Sequence, residues 1–332
     1  MRRLLIPPTL APVGRDGVPA GPIGTLAGRT MGTTWSVRFV EAPGLERDDL
    51  HRRILVELAR LVAQLSHWEP DSALCRFNRA PAGSRHRLPD ALFTVLAATC
   101  AVAERTGGAC DPTLGALVDL WGFGPPGGIA RPPTSDAVAA ARALCGWQRL
   151  ALDPETRTAL QPGGLQLDLS AIAKGYAVDC VSDLLLGAGV AHHLVEIGGE
   201  LRGAGLKPGR EPWWVALEAP PASPAAETVV ALHDLSVATS GEYRRYVDLA
   251  GRRLGHSLDP ATGEPIANAA FAATVLHASC MLADAYATAL LVLGPGRGLE
   301  LAAEAGLAAR ILSVEASGAR EATSPAFDRL LA

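Results

Sequence analysis

The stretch ADAYATALLVLG at residues 283–294 is apolar at nearly every position when read at helical spacing, and a helix of that composition has to be enclosed by the rest of the fold. Two residues depart from the pattern. Asp284 and Thr288 stand four apart, which sets a carboxylate and a hydroxyl on the same helical face. Enclosing such a helix takes a large core. A chain of 332 residues that is 48% hydrophobic and 19% charged can bury one, as one big domain or two closely joined ones.

Charge and cysteine usage narrow the classes further. A net charge of −4 with no block of like charges argues against nucleic acid or an anionic membrane surface as a general partner, leaving a small molecule or another protein. Of 30 basic residues only Lys174 and Lys207 are lysine, so each retained lysine draws interest. The six cysteines (75, 100, 110, 145, 180, 280) make no C-x-x-C pair and lie in apolar surroundings, which reads as reduced core residues rather than disulfides or a zinc site. The start, MRRLLIPPTLAPVGRDG, opens like an export signal with Arg2 and Arg3, but its apolar run stops at Pro7 and Pro8. No apolar region of about seven residues follows. No cysteine falls in the first 74 residues to take a lipid. No run approaches the ~20 apolar residues of a membrane span, and the expected location is the cytoplasm.

The expected organisation is an irregular Pro- and Gly-rich segment over 1–28 and one folded domain over 29–320. Residues 30–40 alternate toward a strand, and 47–66 set Leu50, Ile54, Leu58, Leu61 and Leu65 on one helical face. A helix near 90–106 stops at Gly107-Gly108, a breaker-rich loop covers 122–134, and helices follow near 134–144 and 172–186, the latter closed by Gly187. Strand-like runs lie at 193–197, 213–218, 228–240 and 269–279, ahead of the helix at 283–294 and a further helix and strand to about 314. Without a βαβ beat, a G-x-G-x-x-G after a strand or an internal repeat, the fold class is α+β rather than a Rossmann sheet.

Aspartate and threonine oxygens are hard ligands suited to Mg²⁺, which completes its shell with water and phosphate oxygens. The competing reading is a threonine bonded back into its helix and an aspartate satisfying free N–H groups near the helix start. A second signal is LQLDLSAIAKGYAVD (165–179), a strand running into small residues and then Lys174-Gly175 at a helix start that could face an anion. Its plain alternative is a turn with Ser170 as cap and Lys174 at the surface. Gly198-Gly199 could admit a ligand or make a hairpin. Thr239, Ser240 and Gly241 end a strand, while His256 and Asp259 precede a Pro-containing turn, where a histidine could act as base beside a diphosphate or only satisfy the turn. Trp68, Asn78, Asp111, Thr113 and Trp121 lie in two further candidate segments, and an aromatic there could stack on a flat ring or fill the core.

In chain order MGTTWSV, SHWEPDSALCRFN, CDPTLGALVDLWGFGP, DLSAIAKGYAVD, EIGGELRGAG, ATSGEYRRY, HSLDPATGEP and ADAYATAL resemble the successive signature blocks of the ApbE family, the FAD:protein FMN transferases, over residues 31 to about 294. The resemblance implies an α+β, tunnelling-fold-like architecture of helices and antiparallel sheets around an FAD cleft. It implies Mg²⁺ held by Asp284, Thr288 and the backbone carbonyl of Ala171 and gripping the FAD diphosphate. The implied reaction moves FMN from FAD to a threonine hydroxyl of a partner flavoprotein and releases AMP, with His256 handling the proton and Lys174 holding the loop or the phosphate. Met31, Gly32, Thr33, Trp68, Asn78, Asp111, Thr113, Lys174, Glu196, Ser240, Gly241 and His256 would surround the flavin and adenosine. The chain departs from the family pattern at Ser170-Ala171, where Gly-Gly is usual, at Cys110 in place of an aromatic, at Glu200 where Asp or Asn is commoner, and in lacking a lipobox. The competing functions are an FAD pyrophosphatase yielding FMN and AMP, and a non-catalytic FAD-binding protein.

Overall fold

The computed structural model describes residues 3–8, 10, 19–218, 227–243, 245–249, 251–315 and 318–331. Its centre is an eight-stranded sheet in the order Gly318–Thr323, Ala308–Glu315, Ala270–His277, Leu235–Gly241, Glu200–Ala204, His193–Ile197, Thr33–Val40, Ile23–Thr30. Every neighbouring pair is antiparallel. Side-chain alternation divides these strands between two apolar layers. Trp35, Val37, Phe39, Ala273, Val275 and Ile311 face the helices, whereas Val237, Leu276 and Ala308 face a second core with Trp213, Val230 and Phe327. A three-stranded sheet of Arg3–Leu5, Thr228–Leu232 and Trp213–Ala216 covers that second side.

On the first side the helices Ala173–Gly187 and Cys280–Glu304 pack against each other and the sheet, with Arg47–Leu65 and Asp90–Thr106 outside them. The periodicity behind these helices holds at residue level. Leu50, Ile54, Leu58, Leu61 and Leu65 are all buried, and Asp90–Thr106 stops at Gly107, whose φ of 63° is the left-handed geometry that ends helices. The helix of residues 283–294 is enclosed as its composition demands: Ala283, Asp284, Ala285, Ala287, Ala289, Leu290 and Leu291 are buried. The helical run from Cys280 to Glu304 is interrupted at Gly294 (φ 74°, ψ −179°) just before Pro295, so the two helices expected there meet end to end at a kink. Asn268 Nδ2 donates to the carbonyls of Leu291 (3.0 Å) and Val292 (2.9 Å) at that joint.

Three expectations need correction. Residues 1–28 are not irregular throughout: Arg3–Leu5 pairs in parallel with 228–230, and Ile23–Thr30 is an edge strand of the main sheet. The glycines that suggested a loop face aromatic partners. A Cβ at Gly24 would lie 2.7 Å from the Phe39 ring and one at Gly28 2.7 Å from Trp35 Nε1, so the rings fill the places their side chains would take. Residues 228–240 are two strands in two different sheets, divided at Asp234, which turns the chain at φ 51°. The strand Gly318–Thr323 lies beyond the last element expected from the sequence. Among the described residues no helix is long and apolar enough to cross a membrane.

Candidate functional site

The site begins where the two central helices touch. A Cβ on Gly175 would lie 2.3 Å from the Cys280 carbonyl oxygen, so the crossing closes only because residue 175 has no side chain. The contact carries a bond as well as shape: the Gly175 N–H donates to Asp284 Oδ2 at 3.0 Å. Gly175 is the third residue of the helix Ala173–Gly187, so its N–H is one of those a helix start leaves open, and the Asp284 carboxylate closes it. The bond ties this helix start, which follows the turn at 170–172, to the helix that carries Asp284. Lys174 Nζ lies 3.9 Å from Asp284 Oδ1 and 2.5 Å from Glu200 Oε1, and one turn along the helix Thr288 Oγ1 is 2.9 Å from Ser240 Oγ.

The two carboxylates are deeply buried, and Lys174 is partly exposed. Asp284 is 2% exposed and Glu200 4%. Burial raises the pKa of both carboxyls, against the pull of Lys174. Burial opposes the charge on Lys174 too, but Asp284 and Glu200 outweigh it and raise its pKa. Glu200 Oε2 is buried and has no hydrogen-bond partner among the described residues. Two carboxylates around one ammonium leave the cluster short of positive charge, the condition in which a further cation is favoured.

Two hairpin turns close one side. Met31 and Gly32 both have positive φ (48° and 72°) in the two-residue turn between Thr30 and Thr33. Such a backbone suits Gly32 and strains Met31. In the next hairpin a Cβ on Gly198 would meet Thr33 Cγ2 at 2.9 Å and Lys174 Cδ at 3.3 Å, so Gly198 lets the first turn approach the lysine. Glu196 Oε1 accepts from Gly199 N–H at 2.8 Å and holds that turn. Gly241 ends its strand beneath Tyr243, whose ring a Cβ there would strike at 2.4 Å.

His256 stands beside Arg245 and Phe123. Its Nδ1 lies 3.2 Å from the Arg245 carbonyl and its ring meets Phe123 edge-on at 6.3 Å. Burial, then the Arg245 guanidinium, push its pKa down to about 4, so the imidazole is neutral at physiological pH. With Nδ1–H donating to that carbonyl, Nε2 keeps its lone pair. Trp68 is half exposed, and the Arg245 guanidinium stands 5.6 Å from its ring centre. Beside it a cavity of ≈ 210 Å³ is lined by His67, Asn78, Asp119 and Asp168, among others. His67 Nε2 is buried there with no hydrogen-bond partner among the described residues, 3.8 Å from Asp168 Oδ2.

Asn78, Asp111 and Thr113 take supporting positions. The Asn78 amide bonds twice to the Leu167 backbone, at 3.0 and 2.8 Å, and so pins the segment that leads to Ser170; this segment was expected as a strand but makes only a single bridge among the described residues, Gln166 to Leu114, because no neighbouring strand runs along it. Asp111 accepts from Thr113 N–H, Thr113 Oγ1 and Trp147 N–H, and the Thr113 hydroxyl accepts from Gly146 N–H. The structure thus gathers Thr33, Lys174, Ser240, Asp284 and Thr288, and groups His256 with Phe123, Arg245 and Trp68. The residue-by-residue reading passed over Asp168 and His67. Asp168 had a signal, since it opens the DLSAIAKGYAVD block, where it accepts from Ser170 N–H at 2.7 Å and orders the turn. Lys174 is partly exposed, but its ammonium pairs with the buried Glu200, so it is not a plain surface lysine.

Among the described residues no group of three or more His, Cys, Asp or Glu could hold a metal ion. What the crossing offers is the Asp284 carboxylate and the Thr288 hydroxyl, with the backbone carbonyls of the turn at 170–172 just ahead of the second helix. These are hard oxygen donors, few in number, and they fit Mg²⁺ sharing its shell with a phosphate ligand.

The sheet, the helix crossing and the oxygen set define a class: the chain belongs to the ApbE family, whose family model matches residues 31–311. Among its relatives, the FAD:protein FMN transferase of Vibrio cholerae is 37% identical over 314 residues, 92% of each chain, and that of Escherichia coli K12 is 34% identical over 92% of this chain and 88% of its own. The flavinyl transferase ApbE of Pseudomonas stutzeri, solved in its apo form, superposes with a TM-score of 0.86 at 42% identity, covering 93% of this chain and 96% of that one. The flavin transferase ApbE of Vibrio cholerae gives the same TM-score at 35% identity, covering 93% and 100%.

Proposed function

We propose that this chain transfers FMN from FAD to a threonine hydroxyl of a partner flavoprotein, releasing AMP, in a reaction that requires Mg²⁺. The enzyme class, FAD:protein FMN transferase, is the one its curated relatives carry by name. The observation that carries the finer reading is the Gly175–Asp284 bond, which joins the helix start that follows the Ala171 turn to the helix of Asp284 and Thr288. Bound there through Ala171, Asp284 and Thr288, Mg²⁺ would neutralise the diphosphate and the departing AMP. Lys174 adds a fixed positive charge beside the phosphates, held in place by Glu200. The turns of Met31 to Thr33 and of Glu196 to Gly199, with Ser240 and Gly241, bound the nucleotide on one side, and Trp68 offers its ring to a flat group on the other. The acceptor Oγ–P bond forms as the P–O bond to AMP breaks, and the hydroxyl proton passes to His256 Nε2.

Incubating the protein with FAD, Mg²⁺ and candidate flavoprotein domains tests this. The account expects one FMN on a single acceptor threonine and an equal amount of AMP. AMP and free FMN appearing at one rate with or without acceptor would establish a pyrophosphatase instead, and FAD recovered intact in every case a carrier.

A further inference from the structure

We infer that Asp179 is the positioning residue that sets the geometry of the metal site, by tying together the three elements on which that site is built. Its carboxylate takes four donors. Oδ1 accepts from Cys280 N–H at 3.0 Å and Arg202 Nη1 at 2.6 Å, and Oδ2 from Ser279 Oγ at 2.8 Å and Met281 N–H at 3.0 Å. Asp179 thereby satisfies the open N–H groups at the start of the Cys280–Glu304 helix from a neighbouring helix, in addition to the helix's own cap, Ser279, which accepts from Leu282 N–H.

Each partner lies a short, stiff distance from a site residue. Asp179 follows Lys174 by five residues on one helix, about 7.5 Å of rise. Arg202 follows Glu200 by two residues on one strand, so both project from the same face of the sheet. Cys280 precedes Asp284 by about one turn. Lys174, Glu200 and Asp284 meet at one end of this triangle, and Asp179, Arg202 and the helix start meet at the other. A helix held at its first turn by charge-assisted bonds has little freedom to slide or rotate. The positions of Asp284 and Thr288 relative to the Ala171 carbonyl therefore follow from the Asp179 carboxylate.

This inference rests on Asp284 as a holder of Mg²⁺, and the test separates the two. Mg²⁺ is titrated into the full chain with saturating FAD, following the rise in melting temperature, for wild type and for Asp179→Asn, Arg202→Met and Asp284→Asn. The amide in Asp179→Asn keeps one acceptor oxygen, cannot serve all four donors, and should raise the half-saturating Mg²⁺ concentration about tenfold or more. Arg202→Met leaves the helix-start bonds in place and should raise it several-fold; it decides the matter should Asp179→Asn not fold. A merely structural role would lower the metal-free melting temperature and leave the Mg²⁺ midpoint unmoved, which overturns the proposal. If Asp284→Asn is unresponsive while Asp179→Asn and Arg202→Met titrate as wild type, only the role of Asp179 falls. If Asp284→Asn responds as wild type does, the metal assignment falls and this inference with it.

Discussion

A carboxylate as buried as Asp284 costs several kcal/mol unless charge and hydrogen bonds compensate it, and here one amide N–H and an ammonium at 3.9 Å do so only in part. That imbalance makes Asp284 the most informative residue to change. Asp284→Asn keeps an acceptor for Gly175 and removes the charge, so the protein should fold and lose about 10²-fold or more in turnover, read by AMP release across a Mg²⁺ series. His256 predicts a pH response of definite sign. Its folded pKa of about 4 lies below the ordinary histidine value, so the imidazole is already neutral at neutral pH and protonates only as pH falls toward 4. The pH profile of kcat/KM should therefore lack an acid limb near 6.5 and fall only toward pH 4, and His256→Ala should lower the rate about 10²-fold or more. An acid limb centred near 6.5 would contradict this. The Asp284–Thr288 pair was legible because its spacing alone puts both groups on one face. Glu200 was not legible as the partner of Lys174, 26 residues away, because that pairing exists only once the strand and helix have packed.

At the scale of elements, the crossing of the two central helices is set by what residue 175 lacks. Gly175→Ala would press a methyl against the Cys280 carbonyl and force the helices apart. Overpacking of this kind costs about 1–3 kcal/mol. It should also weaken Mg²⁺ binding, because the same contact holds Asp284. Urea unfolding and a Mg²⁺ titration of the variant measure both effects; an undisturbed midpoint in each would show that the crossing tolerates a side chain. The long helices were readable from periodicity because their burial repeats within the element. The edge strand Ile23–Thr30 was not, because the groups that make its glycines favourable, Trp35 and Phe39, sit on the neighbouring strand. The division of 228–240 into two sheets also escaped, since a single left-handed Asp234 carries little local signal.

At the scale of the whole molecule, the main sheet works as a plate that fixes five segments in register beneath two helices: the Met31 turn, the Glu196–Gly199 turn, Glu200, the Ser240–Gly241 end and the return of the chain into Cys280. The α+β class followed from the mixture of periods, and the order of strands did not, because antiparallel partners such as Leu235–Gly241 and Glu200–Ala204 are chosen by long-range packing. The proposed function requires two segments more than a hundred residues apart to hold one cation on the FAD diphosphate. Crystals grown with FAD and Mn²⁺ in place of Mg²⁺ test it through the anomalous signal of the metal. The account predicts a peak within about 2.3 Å of an Asp284 carboxylate oxygen, the Thr288 hydroxyl and the Ala171 carbonyl, touching the diphosphate. A metal held on the diphosphate away from Asp284 and Thr288, or FAD bound with no metal between those residues, would contradict it.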